Sequence, residues 1–223
     1  MAIILNIETA TKNCSVSLAK DGNTLAIKEL NNGNYSHAEV LHPFIVAVLK
    51  EAKITSQEIN AVAVSKGPGS YTGLRIGVST AKGLCFSLDK PLISIDTLTS
   101  LSHSISIEKG VIVPMLDARR MEVYAAVFNE KHHQIRDIKA EIINTDSFSK
   151  ELENNQVYFL GDGAQKCKEF ISHTNAVFIE NKFPSAKEMA QLSYDKYIKN
   201  DFEDVAYFEP FYLKEFVVDK KKK

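Results

Sequence analysis

The chain has 223 residues, 44% of them hydrophobic and 25% charged, with a formal net charge of −1 at pH 7. That length allows one large or two small domains, and the balanced charge excludes a broad basic field for gripping nucleic acid, so any role near RNA has to be local or through a partner. No apolar stretch approaches membrane-spanning length, and Met1 leads straight into a strand pattern without the basic and apolar regions of a signal peptide.

In chain order, strands are predicted at Ile3 to Glu8, Ser15 to Lys20 and Thr24 to Glu29, with Asp21-Gly22 as a hairpin turn. A helix follows from about Ser36 to Ala52. Ser36 with Glu39 is a capping-box pattern, and Val40, Leu41, Phe44, Ile45, Val48 and Leu49 recur at helical spacing. Pro43 is expected to kink its first turns. Next come a strand ending at Val64, a helix from Thr72 to Leu88, a strand at Leu92 to Ile95, and a short helix from Thr97.

The second half repeats this order. Strands are predicted at Val111 to Leu116, Val123 to Phe128, Ile135 to Ile143, Val157 to Leu160 and Ala176 to Ile179. Helices are predicted at Ser147 to Leu152, Ala164 to Ile171 and Ser185 to Lys199. Both halves read βββαβαβα. This duplicated α/β plan is that of the actin-like, sugar-kinase-like ATPases, two lobes facing each other across a cleft. The lobes are expected at 1–105 and 106–223. The lysines at 220–223 read as a solvated, frayed tail.

Residues 65–77, Ser-Lys-Gly-Pro-Gly-Ser-Tyr-Thr-Gly-Leu-Arg-Ile-Gly, are the most distinctive segment. Gly67, Gly69, Ser70, Thr72 and Gly73 form a turn between strand and helix. It is either a tight connection or a place where free backbone N–H groups meet an anion. It is not a P-loop, because no Gly-Lys-Ser/Thr follows. Gly161 and Gly163 flank Asp162 in a similar turn and are the second candidate ligand turn.

In actin-like ATPases the first hairpin of each lobe cradles phosphates. Here those turns read Glu8-Thr9-Ala10-Thr11-Lys12-Asn13 and Asp117-Ala118-Arg119-Arg120-Met121-Glu122, with acids but no glycine. Without glycine the backbone approaches phosphate poorly, which predicts a nucleotide-fold scaffold with reduced phosphate machinery. Glu8, Asp117 and Arg119 are the charged candidates, Asp117 and Arg119 belonging either to a salt-bridged hairpin or to a cleft-facing site.

His37 and His42 stand five apart on one helix, a poor spacing for a metal pair. His37 reads as a capping or interface residue, and no metal is expected. Cys14, Cys85 and Cys167 form no CxxC or Cys/His cluster, so free thiols in a reducing cytoplasm are expected. The helix starting at Thr72 carries Gly73, Gly77, Ser79, Ala81 and Gly83, small residues that let another helix approach. With the helix starting at Ser36 it either covers its own sheet or presents apolar area to a partner.

Several words together resemble the bacterial TsaB family, also called YeaZ. They are Ile-Glu-Thr-Ala-Thr (7–11), Ser-His-Ala-Glu-Val-Leu (36–41), Gly-Pro-Gly-Ser-Tyr-Thr-Gly-Leu-Arg-Ile-Gly (67–77), Asp-Ala-Arg (117–119) with Glu122-Val123-Tyr124, Gly-Asp-Gly (161–163) and Pro-Phe-Tyr-Leu-Lys (210–214). Departures from the family pattern are Glu8 where many members carry Asp, His42 where Leu is usual, and Lys214 where Arg is usual.

The resemblance implies a cytoplasmic role in making threonylcarbamoyladenosine next to the anticodon of tRNAs that read codons beginning with A. Its catalyst is the paralogue TsaD, which carries a metal-binding His-x-x-x-His; Thr97 and Leu101 stand at those positions here. The chain thus resembles a non-catalytic partner of TsaD, joined by the ATPase TsaE, touching tRNA through the complex and able to self-pair as a homodimer. His37, Leu41, Phe44, Ile45 and Val48, with Leu74, Arg75 and Val78, are expected at the partner interface. No cofactor is expected on the chain alone; ATP or ADP at the partner interface is left open. A small-molecule kinase or ATPase and a metallopeptidase homologue are the alternatives.

Overall fold

The computed structural model describes residues 1–33 and 36–214; the lysine tail lies outside the described residues. β1 (Ile3–Glu8), β2 (Cys14–Lys20) and β3 (Asn23–Leu30) form an antiparallel meander. α1 (His37–Ala52), β4 (Ala61–Gly67), α2 (Tyr71–Leu88), β5 (Leu92–Asp96) and α3 (Thr97–Ser102) complete the first half. In the second, β6 (Val111–Asp117), β7 (Glu122–Asn129) and β8 (Gln134–Ile142) precede α4 (Ser149–Asn154), β9 (Val157–Leu160), α5 (Ala164–Cys167), β10 (Ala176–Ile179) and α6 (Met189–Ile198).

The sheet orders are β3-β2-β1-β4-β5 and β8-β7-β6-β9-β10, so each half has the same mixed topology. In both, the first strand pairs antiparallel with the second and parallel with the fourth. The duplicated α/β plan read from the sequence is therefore the plan of the molecule.

The apolar stripes explain the layers. Leu41, Ile45 and Val48 of α1 and Val78, Ala81 and Cys85 of α2 pack with Leu5, Ile7, Val62 and Val64 on one face of the first sheet. Opposite faces of a strand alternate, so Ile4, Ala61, Ala63 and Ile93 point to the other side, where Ala186 and Met189 cover them. α6 thus returns to the first sheet, although the sequence places it in the second half. α3 joins the lobes: Leu98 and Leu101 pack with Ile112, Leu116, Ala126, Phe128 and Leu160.

Residues 203–214 continue over the first lobe. Glu203 bridges to Leu92, the Lys82 ammonium donates to the Ala206 and Phe208 carbonyls at 3.2 and 2.9 Å, and Phe211 N–H donates to the Lys66 carbonyl at 2.7 Å. Lys214 then reaches the other lobe in an ion pair with Glu122.

One local expectation changes. Ser36 makes no side-chain cap at α1; the reciprocal capping box is between Thr55 and Glu58, around a short 3₁₀ turn at Ser56–Glu58. The His103 and His132 rings stack with centroids 4.2 Å apart where α3 meets the β7–β8 turn.

Candidate functional site

In the first lobe, the glycine-rich turn closes on the chain's own first hairpin. Ser70 N–H donates to the Ala10 carbonyl at 2.7 Å, the Thr9 hydroxyl donates to the Gly73 carbonyl at 2.8 Å, and Gly73 N–H donates to the Ser70 hydroxyl at 3.3 Å. A Cβ at Gly69 would lie 2.5 Å from the Ala10 carbonyl oxygen. One at Gly73 would lie 2.1 Å from the Thr9 carbonyl oxygen, and one at Gly77 2.2 Å from the Thr9 hydroxyl. Gly67 has φ +112° and meets the Phe211 carbonyl in the same way. Gly67, Gly69 and Gly73 accommodate backbone from residues 211, 10 and 9, and Gly77 accommodates the Thr9 side chain. Thr72 is exposed at the helix start.

The second lobe repeats the device. Gly161 has φ +106°, and a Cβ there would lie 2.2 Å from the Met115 carbonyl oxygen; at Gly163 it would meet the Leu116 carbonyl carbon at 2.8 Å. Gly163 N–H donates to Met115, and Asp117 N–H donates to the Asp162 carboxylate at 3.0 Å. Burial pushes the Asp162 carboxyl above its ordinary range. A cavity of about 340 Å³ beside this turn is lined by Asp162, Phe178, Ile179, Lys182 and Phe183, among others.

Glu8, Asp117 and Arg119 do not form one site. Glu8 is fully buried; its Oε1 accepts from Ala10 N–H at 2.6 Å and the Ser65 hydroxyl at 2.8 Å, while its Oε2 has no partner among the described residues. Burial drives its pKa up to about 7, a shift that those hydrogen bonds only partly offset. Asp117 is exposed on the other lobe, ion-paired with Lys166 and accepting from Arg119 N–H at 2.8 Å. The ion pair of Asp117 runs to Lys166 of α5 and not across the hairpin; Arg119 meets Asp117 through its backbone N–H alone.

Most residues expected at the partner interface face inward. His37, Leu41, Ile45, Val48, Leu74 and Val78 are all buried. His37 Nε2–H donates to the Thr11 carbonyl at 2.7 Å, and burial lowers the ring's pKa. Phe44 is half-buried against the core. Arg75 is exposed and lies 5.5 Å over the Tyr71 ring, which packs against Tyr212 at 4.9 Å. The outward ridge of the two helices carries His42, Val46, Ser79, Gly83 and Phe86 instead; Val46 is 65% and Phe86 86% exposed. The apolar stripe identified the core face; the outward face was marked by the apolar residues that break the stripe. Thr97 and Leu101 are fully buried in α3. Among the described residues, no three His, Cys, Asp or Glu gather to hold a metal, and no helix is long and apolar enough to cross a membrane.

Comparison with known proteins places this architecture. Residues 32–222 match the family described as TsaD, tRNA N6-adenosine threonylcarbamoyltransferase. The TsaB protein of tRNA threonylcarbamoyladenosine biosynthesis from Haemophilus influenzae is 29% identical over 98% of this chain and 96% of its own. That of Buchnera aphidicola (strain Bp) is 30% identical over 95% of this chain and 98% of its own. The fold matches YeaZ from Pseudomonas aeruginosa with a TM-score of 0.84, covering 96% of this chain and 100% of that one at 22% identity. The chain belongs to the TsaB family of tRNA threonylcarbamoyladenosine biosynthesis proteins, within the wider family that the threonylcarbamoyltransferase describes.

Proposed function

We propose that the chain is a cytoplasmic, non-catalytic partner of the TsaD transferase, required for threonylcarbamoyladenosine formation on tRNAs reading codons that begin with A. One observation carries this reading: in both lobes the glycine turns are packed against the chain's own hairpins, through Thr9 and Ala10 in the first and Met115 and Leu116 in the second. Backbone that could approach a phosphate is committed to internal contacts. The side chains at the positions of the transferase's metal-binding histidines, Thr97 and Leu101, are buried and cannot replace an imidazole. The free, buried Cys14, Cys85 and Cys167 suit a reducing compartment.

The partner surface is the α1–α2 ridge. Gly73 and Gly77 have internal reasons to lack a side chain, but a Cβ at Gly83 would meet nothing within 4 Å. A helix-interior glycine costs about 1 kcal/mol relative to alanine. With Phe86 exposed three residues on along α2 and Val46 exposed on α1, it fits close approach of a helix from another protein. TsaD is the occupant in the working complex, with TsaE joining it and tRNA reached through the assembly. A second copy of this chain can cover the same ridge when TsaD is absent. Nucleotide, where present, belongs at the partner interface.

The test is copurification of tagged chain from its own cells, with modified-nucleoside analysis after depletion. Recovery of TsaD and loss of threonylcarbamoyladenosine are expected; unchanged modification after complete depletion overturns the proposal.

A further inference from the structure

The turn between β6 and β7 holds two consecutive arginines in the left-handed region, Arg119 at φ 70° and Arg120 at φ 50°. That conformation suits glycine or asparagine and is disfavoured for a long side chain. The backbone around them is fixed: Arg119 N–H donates to Asp117, Glu122 N–H donates to the Arg119 carbonyl at 3.2 Å, and the Lys166 ammonium donates to the Arg120 carbonyl at 2.8 Å. Both side chains are exposed and form no ion pair among the described residues. The nearby acids are already engaged, Asp117 by Lys166 and Glu122 by Lys214. The β6–β7 turn therefore presents two adjacent exposed cations that no carboxylate among the described residues pairs.

We propose that the Arg119–Arg120 turn is a docking surface for the phosphodiester backbone of tRNA. Flexible cationic side chains on glycine-free turns suit the backbone of an extended polyanion, which needs charge and reach but no enclosing cradle. The chain's near-neutral total charge confines such an interaction to a local patch. The inference rests on the tRNA-modification reading above, which makes RNA the occupant.

The experiment is fluorescence anisotropy of a labelled, unmodified tRNA reading a codon that begins with A, titrated with the full chain at about 50 and about 200 mM salt. The variant R119N/R120G removes both charges while supplying residues that accept positive φ, so its melting temperature should equal or exceed that of the parent. The expected result is parental binding that weakens with salt, and a variant at least about tenfold weaker at low salt with a salt slope reduced by nearly two phosphate contacts. Absence of parental binding at low salt, equal affinity and slope in the variant, or arginine-dependent binding of Mg-ATP in place of tRNA would each overturn it. The pathway reading fails on a different observation, normal threonylcarbamoyladenosine in cells lacking the chain.

Discussion

Thr9 and Gly73 lock the first hairpin to helix α2: the Thr9 hydroxyl donates to the Gly73 carbonyl at 2.8 Å, and the Thr9 carbonyl lies where a Cβ on Gly73 would be. The glycine-rich turn at 67–73 is thus a packing device. Replacing Gly73 with alanine forces backbone against backbone, and overpacking of that kind costs about 1–3 kcal/mol or more. Urea unfolding of G73A should show a lower midpoint. G83A, whose added methyl meets no neighbour, should be neutral or slightly stabilising in the same assay. Equal midpoints for G73A and the parent would show that the contact does not constrain the fold.

Glu8 supplies a pH dependence. Its folded pKa of about 7 lies above the ordinary 4.5, so the fold favours the neutral carboxyl. Its contribution is fully favourable below the unfolded value and is lost as pH rises from about 4.5 through about 7, by about 3 kcal/mol in all. E8Q keeps a neutral group at every pH. Unfolding free energies at pH 5 and pH 8 should therefore differ less in E8Q than in the parent. The half-buried carboxyl of Glu188, also raised by burial, leaves some dependence in both proteins. The same pH 5 to pH 8 difference in E8Q and the parent contradicts the assignment.

The two faces of the α1–α2 pair make opposite predictions. Val78 is 4% exposed inside the core, so V78D buries an unpaired charge and should unfold the protein. Phe86 is 86% exposed, so F86D should leave the melting temperature nearly unchanged while abolishing capture of TsaD. Size-exclusion chromatography with purified TsaD separates these outcomes. F86D that is folded and still bound removes the ridge as the interface.

Apolar runs bounded by turn residues located β1, β9 and β10 with the predicted bounds, although β1 is buried on both faces and β10 is half-buried throughout. Sequence periodicity could not say which side of an amphipathic helix a partner would see. Leu41 and Val48 satisfy the sheet, and Val46, off the stripe, is the residue left outside. The role of the glycines was hidden for a related reason. A turn that approaches phosphate and one that approaches Ala10 or Met115 need the same missing Cβ, and only the tertiary contact distinguishes them. The strap from Glu203 to Lys214 carries almost no periodic signal, since backbone groups make many of its contacts.

The most direct test is reconstitution with purified components. The chain alone, given tRNA, ATP and the threonylcarbamoyl donor, should neither hydrolyse ATP nor modify tRNA. Addition of TsaD and TsaE should produce threonylcarbamoyladenosine at a rate that depends on the amount of this chain. ATP turnover or tRNA modification by the chain alone, or full activity of the other components without it, would contradict the account.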